Sequence, residues 1–377
     1  MKYLPNKKAL LLNFTANSYH WGCFGTSLAI FSNLCKFNYY VSTVDVEFTH
    51  HLKPSPSSLT DFTDNSFLSK FETENHTLIR EIRSSDLVVI NGEGTLHGVS
   101  SGSVNLLFLA FFTKKVLNKP THLINHSCFP NSKGSNLKDN AIVKAYMSVI
   151  GMLDTVVPRE EYSLKIYRSC GLNVTQGFDC LPLYIDQLGL TLSNKGTGNL
   201  ILSGGITLSE ESLILYSKFI RHATEQGLRV IFLTGAKTNN AKEDFIFYKK
   251  IKNLHPETEL LEANSFLEWI DAIKNANYLL SGRFHHTIAA ITTGTPFSTL
   301  SSNTPKVEAI LELCGLKERL VDIKDSSSVS RALSEIKETI TQPKLATSEE
   351  LIRRLLKLGG GNFIFLAEEL TPKRNFY

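Results

Sequence analysis

The sequence predicts an α/β protein built as two Rossmann-like halves facing across a cleft. Three observations carry this reading. Strand-like and helix-like segments alternate almost throughout the chain, the pattern of parallel sheets covered by helices. The alternation breaks at Thr191-Leu192-Ser193-Asn194-Lys195-Gly196-Thr197-Gly198-Asn199, a stretch rich in Gly, Ser, Asn and Thr, and then restarts. Finally, 377 residues suffice for two cored domains rather than one.

The N-terminal half is expected over residues 1–190. Its first apolar run, 9–14, is too short for the core of a signal peptide with a cleavage site and reads as a strand. Further strands are expected at 39–44, 87–91, 122–126 and 155–157, with helical patterns at 26–35, 105–116, 137–150 and 161–170. The longest strongly apolar run, 104–112, cannot span a bilayer and is expected as a buried helix. The C-terminal half is expected over 199–345. There the strands are 200–203, 229–234, 259–261, 278–281 and 297–300, alternating with helices at 209–226, 241–254, 266–275, 285–293 and 307–314. Gly227 and Gly315 stand where helix C-caps belong. The remainder, 346–377, is expected as a C-terminal helix and tail: Ser348-Glu349-Glu350 starts the helix and Gly359-Gly360-Gly361 ends it.

Composition narrows the function. Hydrophobic content of 42% and charged content of 20% fit a soluble globular protein. A net charge of +4 is slight for this length, so no nucleic-acid partner and no general membrane role follow from it. The six cysteines lack CxxC or CxH spacing, which argues against a metal site or a disulfide framework. A cytosolic, reducing setting is the expectation.

The chemistry concentrates at Ser281-Gly282-Arg283-Phe284-His285-His286. A strand ends in glycine, an arginine and two histidines follow, and a helix begins. In open α/β sheets ligands gather at such strand ends, beside helix N-termini. Arginine stays charged and forks two hydrogen bonds onto a carboxylate or phosphate, while a histidine can move a proton near neutrality. Lys306, just past Pro305, lies beyond the next strand on the same sheet edge. Two cations and a histidine converging there suit an anionic substrate.

With these motifs in place, residues 265–315 resemble the polysaccharide pyruvyl transferase family. Its strand-Gly-x-Arg-x-His-helix signature stands as Gly282-Arg283-Phe284-His285, followed by Gly294-Thr295-Pro296 and Pro305-Lys306. An upstream signature matches at Val157-Pro158-Arg159-Glu160-Glu161-Tyr162-Ser163-Leu164, then Cys170-Gly171-Leu172, then Asp179. The resemblance implies a GT-B-like fold and ketal pyruvylation: phosphoenolpyruvate gives a pyruvyl group to two hydroxyls of one sugar, in a surface glycan or its precursor, and phosphate leaves. It assigns Arg159, Arg283 and Lys306 to the donor's carboxylate and phosphate, and His285 to the general acid that protonates the enol carbon. No cofactor is expected, since phosphoenolpyruvate is a co-substrate, and no carboxylate cluster calls for magnesium. A lipid-linked oligosaccharide acceptor would bring the chain to the inner face of the membrane.

The N-terminal half is the expected acceptor side. Glu93, in Asn91-Gly92-Glu93-Gly94, is the candidate base for the sugar hydroxyls, with His97 as an acceptor contact. The first loop carries Tyr19 and Trp21 where family members commonly carry an Asn-x-Gly-Asp type loop. Either ring could stack on a sugar face, and Trp21 could equally pack under the loop. Asp179 reads as structural, and Ser203-Gly204-Gly205 as a weak phosphate cradle. Two other functions compete: a GT-B glycosyltransferase using a nucleotide sugar, with Glu262 or Glu268 as ribose ligand, and a non-catalytic glycan-binding relative.

Overall fold

The computed structural model describes residues 7–17, 20–131, 140–205, 208–236, 241–342 and 344–366. The chain divides into two compact units. The first comprises Met1–Asn17, Ser27–Cys180 and Lys357–Tyr377, and the second Ser18–Thr26 and Leu181–Leu356.

In the first unit five strands alternate with helices. They are β1 (Lys7–Phe14), α1 (Trp21–Lys36, whose first turn groups with the second unit), β2 (Tyr39–Asp45), α2 (Val46–His50), α3 (Asn65–Glu74) and α4 (His76–Ser84). There follow β3 (Leu87–His97), α5 (Ser101–Phe111), β4 (Thr121–Phe129), α6 (Asn140–Ile150), β5 (Thr155–Pro158) and α7 (Glu161–Ser169). The sheet is parallel, in the order β2-β1-β3-β4-β5. Its strands read as continuous apolar runs because helices cover both faces: Ala9, Leu10, Leu11 and Leu12 are all fully buried. The apolar run 104–112 lies in α5 and the residue after it, and is buried along its length apart from Phe111. Phe108 sits at the centre of an aromatic cluster with Phe62, Phe67, Phe71 and Phe112, ring centroids 4.9–5.7 Å away.

The second unit runs α8 (Leu181–Gln187), β6 (Asn199–Gly205), α9 (Glu210–Glu225), β7 (Arg229–Leu233), α10 (Lys242–Leu254), β8 (Glu259–Leu261) and α11 (Phe266–Lys274). It continues with β9 (Tyr278–Gly282), α12 (Phe284–Thr293), β10 (Phe297–Thr299), α13 (Lys306–Cys314), α14 (Ser326–Thr341) and α15 (Glu349–Gly360, whose end groups with the first unit). Again the sheet is parallel, in the order β10-β9-β6-β7-β8. Gly294 and Gly315 close α12 and α13 in the left-handed conformation.

Both sheets reverse their winding once. The strand order changes direction between β1 and β3 in the first unit and between β9 and β6 in the second. Doubly wound sheets bind ligands at such switch points, outside the carboxyl ends of the strands. Glu93 stands at the first switch point and Arg283 directly follows the second.

Two expectations change here. The strand expected over 87–91 is longer, because β3 continues to His97. The first loop, expected with the N-terminal half, groups with the second unit from Ser18 to Thr26. Of the helix expected over 137–150, residues 137–139 lie outside the described residues and α6 covers the rest. Among the described residues, no helix is long and apolar enough to cross a membrane.

Candidate active site

In the first unit the strand ends are bent by left-handed residues. Asn13 on β1, Glu93 on β3 and Asn125 on β4 have φ of 61°, 47° and 51°. Asn13 and Asn125 fall within breaks in the pairing register, and Glu93 borders one. Asparagine tolerates this region, whereas glutamate held there stores on the order of 1–3 kcal/mol of strain. Surrounding bonds hold it. Asn13 Nδ2 donates to the Asn91 carbonyl at 2.7 Å, and Asn125 Nδ2 donates to Asn91 Oδ1 at 2.8 Å. Asn125 Oδ1 accepts from the Cys180 amide at 3.0 Å, and Asn362 Oδ1 accepts from the Asn125 amide at 2.8 Å. All four asparagines are fully buried.

Arg159, immediately past β5, is 1% exposed and spends its donors inside this frame. Its Nη1 donates to Glu93 Oε2 at 2.9 Å and to Asp179 Oδ2 at 2.8 Å, and its Nε donates to Ser127 Oγ at 3.1 Å. This revises two expectations. Arg159 was expected to clamp the donor anion, but its buried guanidinium is already paired with two carboxylates. Glu93 was expected as a base, but Oε2 is taken by Arg159 and Oε1 lies 3.5 Å from Asn91 Nδ2. Asp179, fully buried, accepts from Arg159. His97 turns its Nδ1 to the Gly94 carbonyl at 2.8 Å.

The second unit carries the cations. Arg283 occupies the N-cap position of α12, its amide donating to Ser281 Oγ at 3.0 Å. Its Nε and Nη2 both donate to Asp244 Oδ1, at 3.1 and 2.5 Å. Asp244 is wholly buried in the first turn of α10, and its Oδ2 accepts from the Gly235 amide at 2.9 Å. Gly204 makes room for this carboxylate: a Cβ there would lie 2.0 Å from Asp244 Oδ1. The loop expected to cradle a phosphate therefore accommodates a protein carboxylate instead. Among the described residues, Nη1 of Arg283 has no hydrogen-bond partner, so the pinned guanidinium keeps donors for a ligand.

His285 lies one turn-step into α12 and is half-buried. Lys306 opens α13, with Nζ 5.7 Å above the Phe284 ring. His20 binds this group together. Burial first, then the charges of Arg283, His285 and Lys306, push its pKa down to about 3, which leaves it neutral among cations. Its loop is fixed to the sheet edge: the Trp21 amide donates to the Gly235 carbonyl at 3.1 Å, and His20 bridges Ala236. Cys23 Sγ lies 3.6 Å from His285 Nδ1.

Trp21 is 4% exposed, with its ring edge-on to Phe24 at 5.8 Å. So little exposed ring leaves no face for a sugar, and packing is its role. Tyr19 lies outside the described residues. His286 is buried and accepts from Trp269 Nε1 at 3.0 Å, and burial holds its pKa well below the usual imidazole range. Sequence reasoning brought Arg283, His285 and Lys306 to one edge but missed His20, Cys23 and Asp244. Asp244 reads in sequence as an ordinary acidic first turn of a helix.

A model of the polysaccharide pyruvyl transferase family matches residues 28–304. The chain belongs to this family. Polysaccharide pyruvyl transferases are transferases, and the Gly282-Arg283-Phe284-His285 signature lies inside the matched span. Among curated proteins none matches. Solved structures similar to the chain include UDP-N-acetylglucosamine 2-epimerase from Neisseria meningitidis bound to UDP-GlcNAc, at 14% identity and a TM-score of 0.58, covering 96% of this chain and 99% of that one. The Rickettsia bellii UDP-N-acetylglucosamine 2-epimerase is similar at 13% identity and TM-score 0.56, covering 97% and 96%. Os79 from O. sativa, in complex with UDP and deoxynivalenol-3-glucoside, is similar at 12% identity and TM-score 0.51, covering 96% and 99%. These likenesses identify the fold of this family member as GT-B and go no further.

Proposed function

We propose that the chain transfers a pyruvyl group from phosphoenolpyruvate to two hydroxyls of one sugar in a surface glycan or its precursor. The observation that supports this most is the Arg283 guanidinium, fixed by buried Asp244 at a switch point, with Nη1 unpartnered among the described residues. A donor bearing both carboxylate and phosphate needs fixed cations, and Arg283 with Lys306 supplies two on one sheet edge. His285 gives its proton to the methylene carbon of the enol, which becomes the ketal methyl. The central carbon then takes the first sugar oxygen, phosphate leaves with the C–O electron pair, and the second sugar oxygen closes the ketal. The hydroxyl protons end on His285 and on the released phosphate.

The test offers the purified chain phosphoenolpyruvate or nucleotide sugars, with pooled glycan acceptors, and follows phosphate release and product mass. Pyruvylated product from phosphoenolpyruvate is expected. Glycosyl transfer from a nucleotide sugar without pyruvylation would overturn the proposal.

A further inference from the structure

In the second unit the first turn of α1 packs directly against His285, an approach that sequence did not foresee. A Cβ on Gly22 would lie 2.1 Å from His285 Cβ, so only glycine admits the helix here. The turn is tied down on both sides of the thiol. The Trp21 amide donates to the Gly235 carbonyl, the Phe24 amide to the His20 carbonyl at 2.9 Å, and Thr26 Oγ1 to the Gly22 carbonyl at 2.9 Å. The Cys23 thiol, 6% exposed, is thereby held 3.6 Å from Nδ1 of His285. This is hydrogen-bond range for sulfur, and the contact joins residues 262 positions apart.

We propose that Cys23 is a positioning residue for His285: its sulfur occupies Nδ1 and thereby assigns the transferable proton to Nε2. With the thiol S–H donating to Nδ1, the neutral ring carries its only proton on Nε2, which is what a general acid requires. The reverse bond, Nδ1–H to sulfur in a neutral ring, would leave Nε2 an acceptor, so the proposal is specific to the thiol as donor. The inference rests on the proposed acid role of His285, although the contact itself does not.

The experiment uses the full chain with 15N-labelled histidine, and His285 is assigned by loss of its signals in H285A. Long-range 1H–15N spectra of wild type and Cys23→Ala are compared, with Cys23→Ser as the conservative variant. The expected result is a displaced Nδ1 resonance of His285 in Cys23→Ala, largely restored in Cys23→Ser. Unchanged His285 nitrogen shifts in Cys23→Ala would overturn the proposal. In turnover, Cys23→Ala is expected to lower kcat roughly tenfold, a part of the roughly 10²–10⁴ that a general acid supplies, at unchanged KM for phosphoenolpyruvate. An unchanged kcat in an enzyme that pyruvylates would equally overturn it. If the resonance moves but phosphoenolpyruvate is not a substrate, the donor reading falls while the thiol–imidazole contact stands.

Discussion

Replacing Asp244 by asparagine tests the electrostatic frame of the site with almost no change of shape. Asp244 Oδ1 accepts two N–H bonds from Arg283, and Oδ2 accepts one from the Gly235 amide. An asparagine has one acceptor oxygen. If that oxygen faces Arg283, the NH2 group meets the buried Gly235 N–H, donor against donor, at about 1–3 kcal/mol for the unsatisfied amide. In the flipped orientation the NH2 meets the guanidinium, which is worse. The arginine also loses its only acid partner among the described residues, and a buried charge stripped of its partner costs about 3–5 kcal/mol. The Arg283 side chain keeps 11% exposure, so water recovers part of that, and a loss near the lower end, about 3 kcal/mol, is expected. Chemical denaturation monitored on the second unit measures it. Release of the guanidinium should also raise KM for phosphoenolpyruvate roughly tenfold, since an arginine free to turn pays ordering entropy on each binding event. A variant with wild-type midpoint and wild-type KM would refute the reasoning, because it would mean Asp244 neither supports nor orients Arg283.

Further expectations follow from the same geometry. Gly22→Ala gains about 1 kcal/mol of helix propensity but drives a Cβ into His285, so kcat should fall about 100-fold while unfolding stability changes by under about 2 kcal/mol; a variant with normal kcat would contradict the close approach. Acid should destabilise the chain. His20 and His126 are pushed down to about 3 from 6.5 by burial, with Arg283 and Arg159 respectively the next cause. The unfolded chain then binds the extra protons, so stability is full above pH 6.5 and falls with pH, by about 2 kcal/mol per histidine at pH 5. Equal urea midpoints at pH 7.5 and pH 5 would disprove their neutrality. Glu93→Gln leaves Arg159 with Asp179 as its carboxylate and should lower first-unit stability by about 1–3 kcal/mol, read from denaturant unfolding; an unchanged midpoint would show that the Glu93–Arg159 pair contributes nothing.

How much of this was legible in the sequence depends on the range of the signal. The parallel strands announced themselves as short apolar runs between helical patterns, and all ten lie where a run was read. The helices α2, α3 and α4 were not, since residues 46–84 mix His, Pro, Ser and Asp with no sustained period. The helix α14 was masked by its serine-rich start, which favours turns locally and caps a helix only once Val329, Ala332 and Ile336 find a core. In the site, Arg283, His285 and Lys306 are visible because each follows a strand within a few residues. Asp244, His20 and Cys23 act from other elements, and only the folded sheet brings them to the same edge.

Long-range partners also explain why the two strand-end sets differ in chemistry although they share architecture. At the first switch point the cation is held within the unit: one guanidinium meets two carboxylates, Glu93 and Asp179, and Arg159 is left 1% exposed. That closed arrangement can hold Glu93 in a left-handed conformation, since its strain is opposed by an ion pair and by the asparagine bonds around it. At the second switch point the balance runs the other way. One carboxylate, Asp244, meets Arg283 while Lys306 stands on the same edge, and His20 stays neutral. Asp244 holds the guanidinium in one orientation, so the anionic donor proposed above would meet Arg283 at little reorganisation cost. The proposed donor contact therefore rests on Arg283 in the second unit, while Arg159, which sequence placed with the donor, is held by Glu93 and Asp179 in the frame of the first.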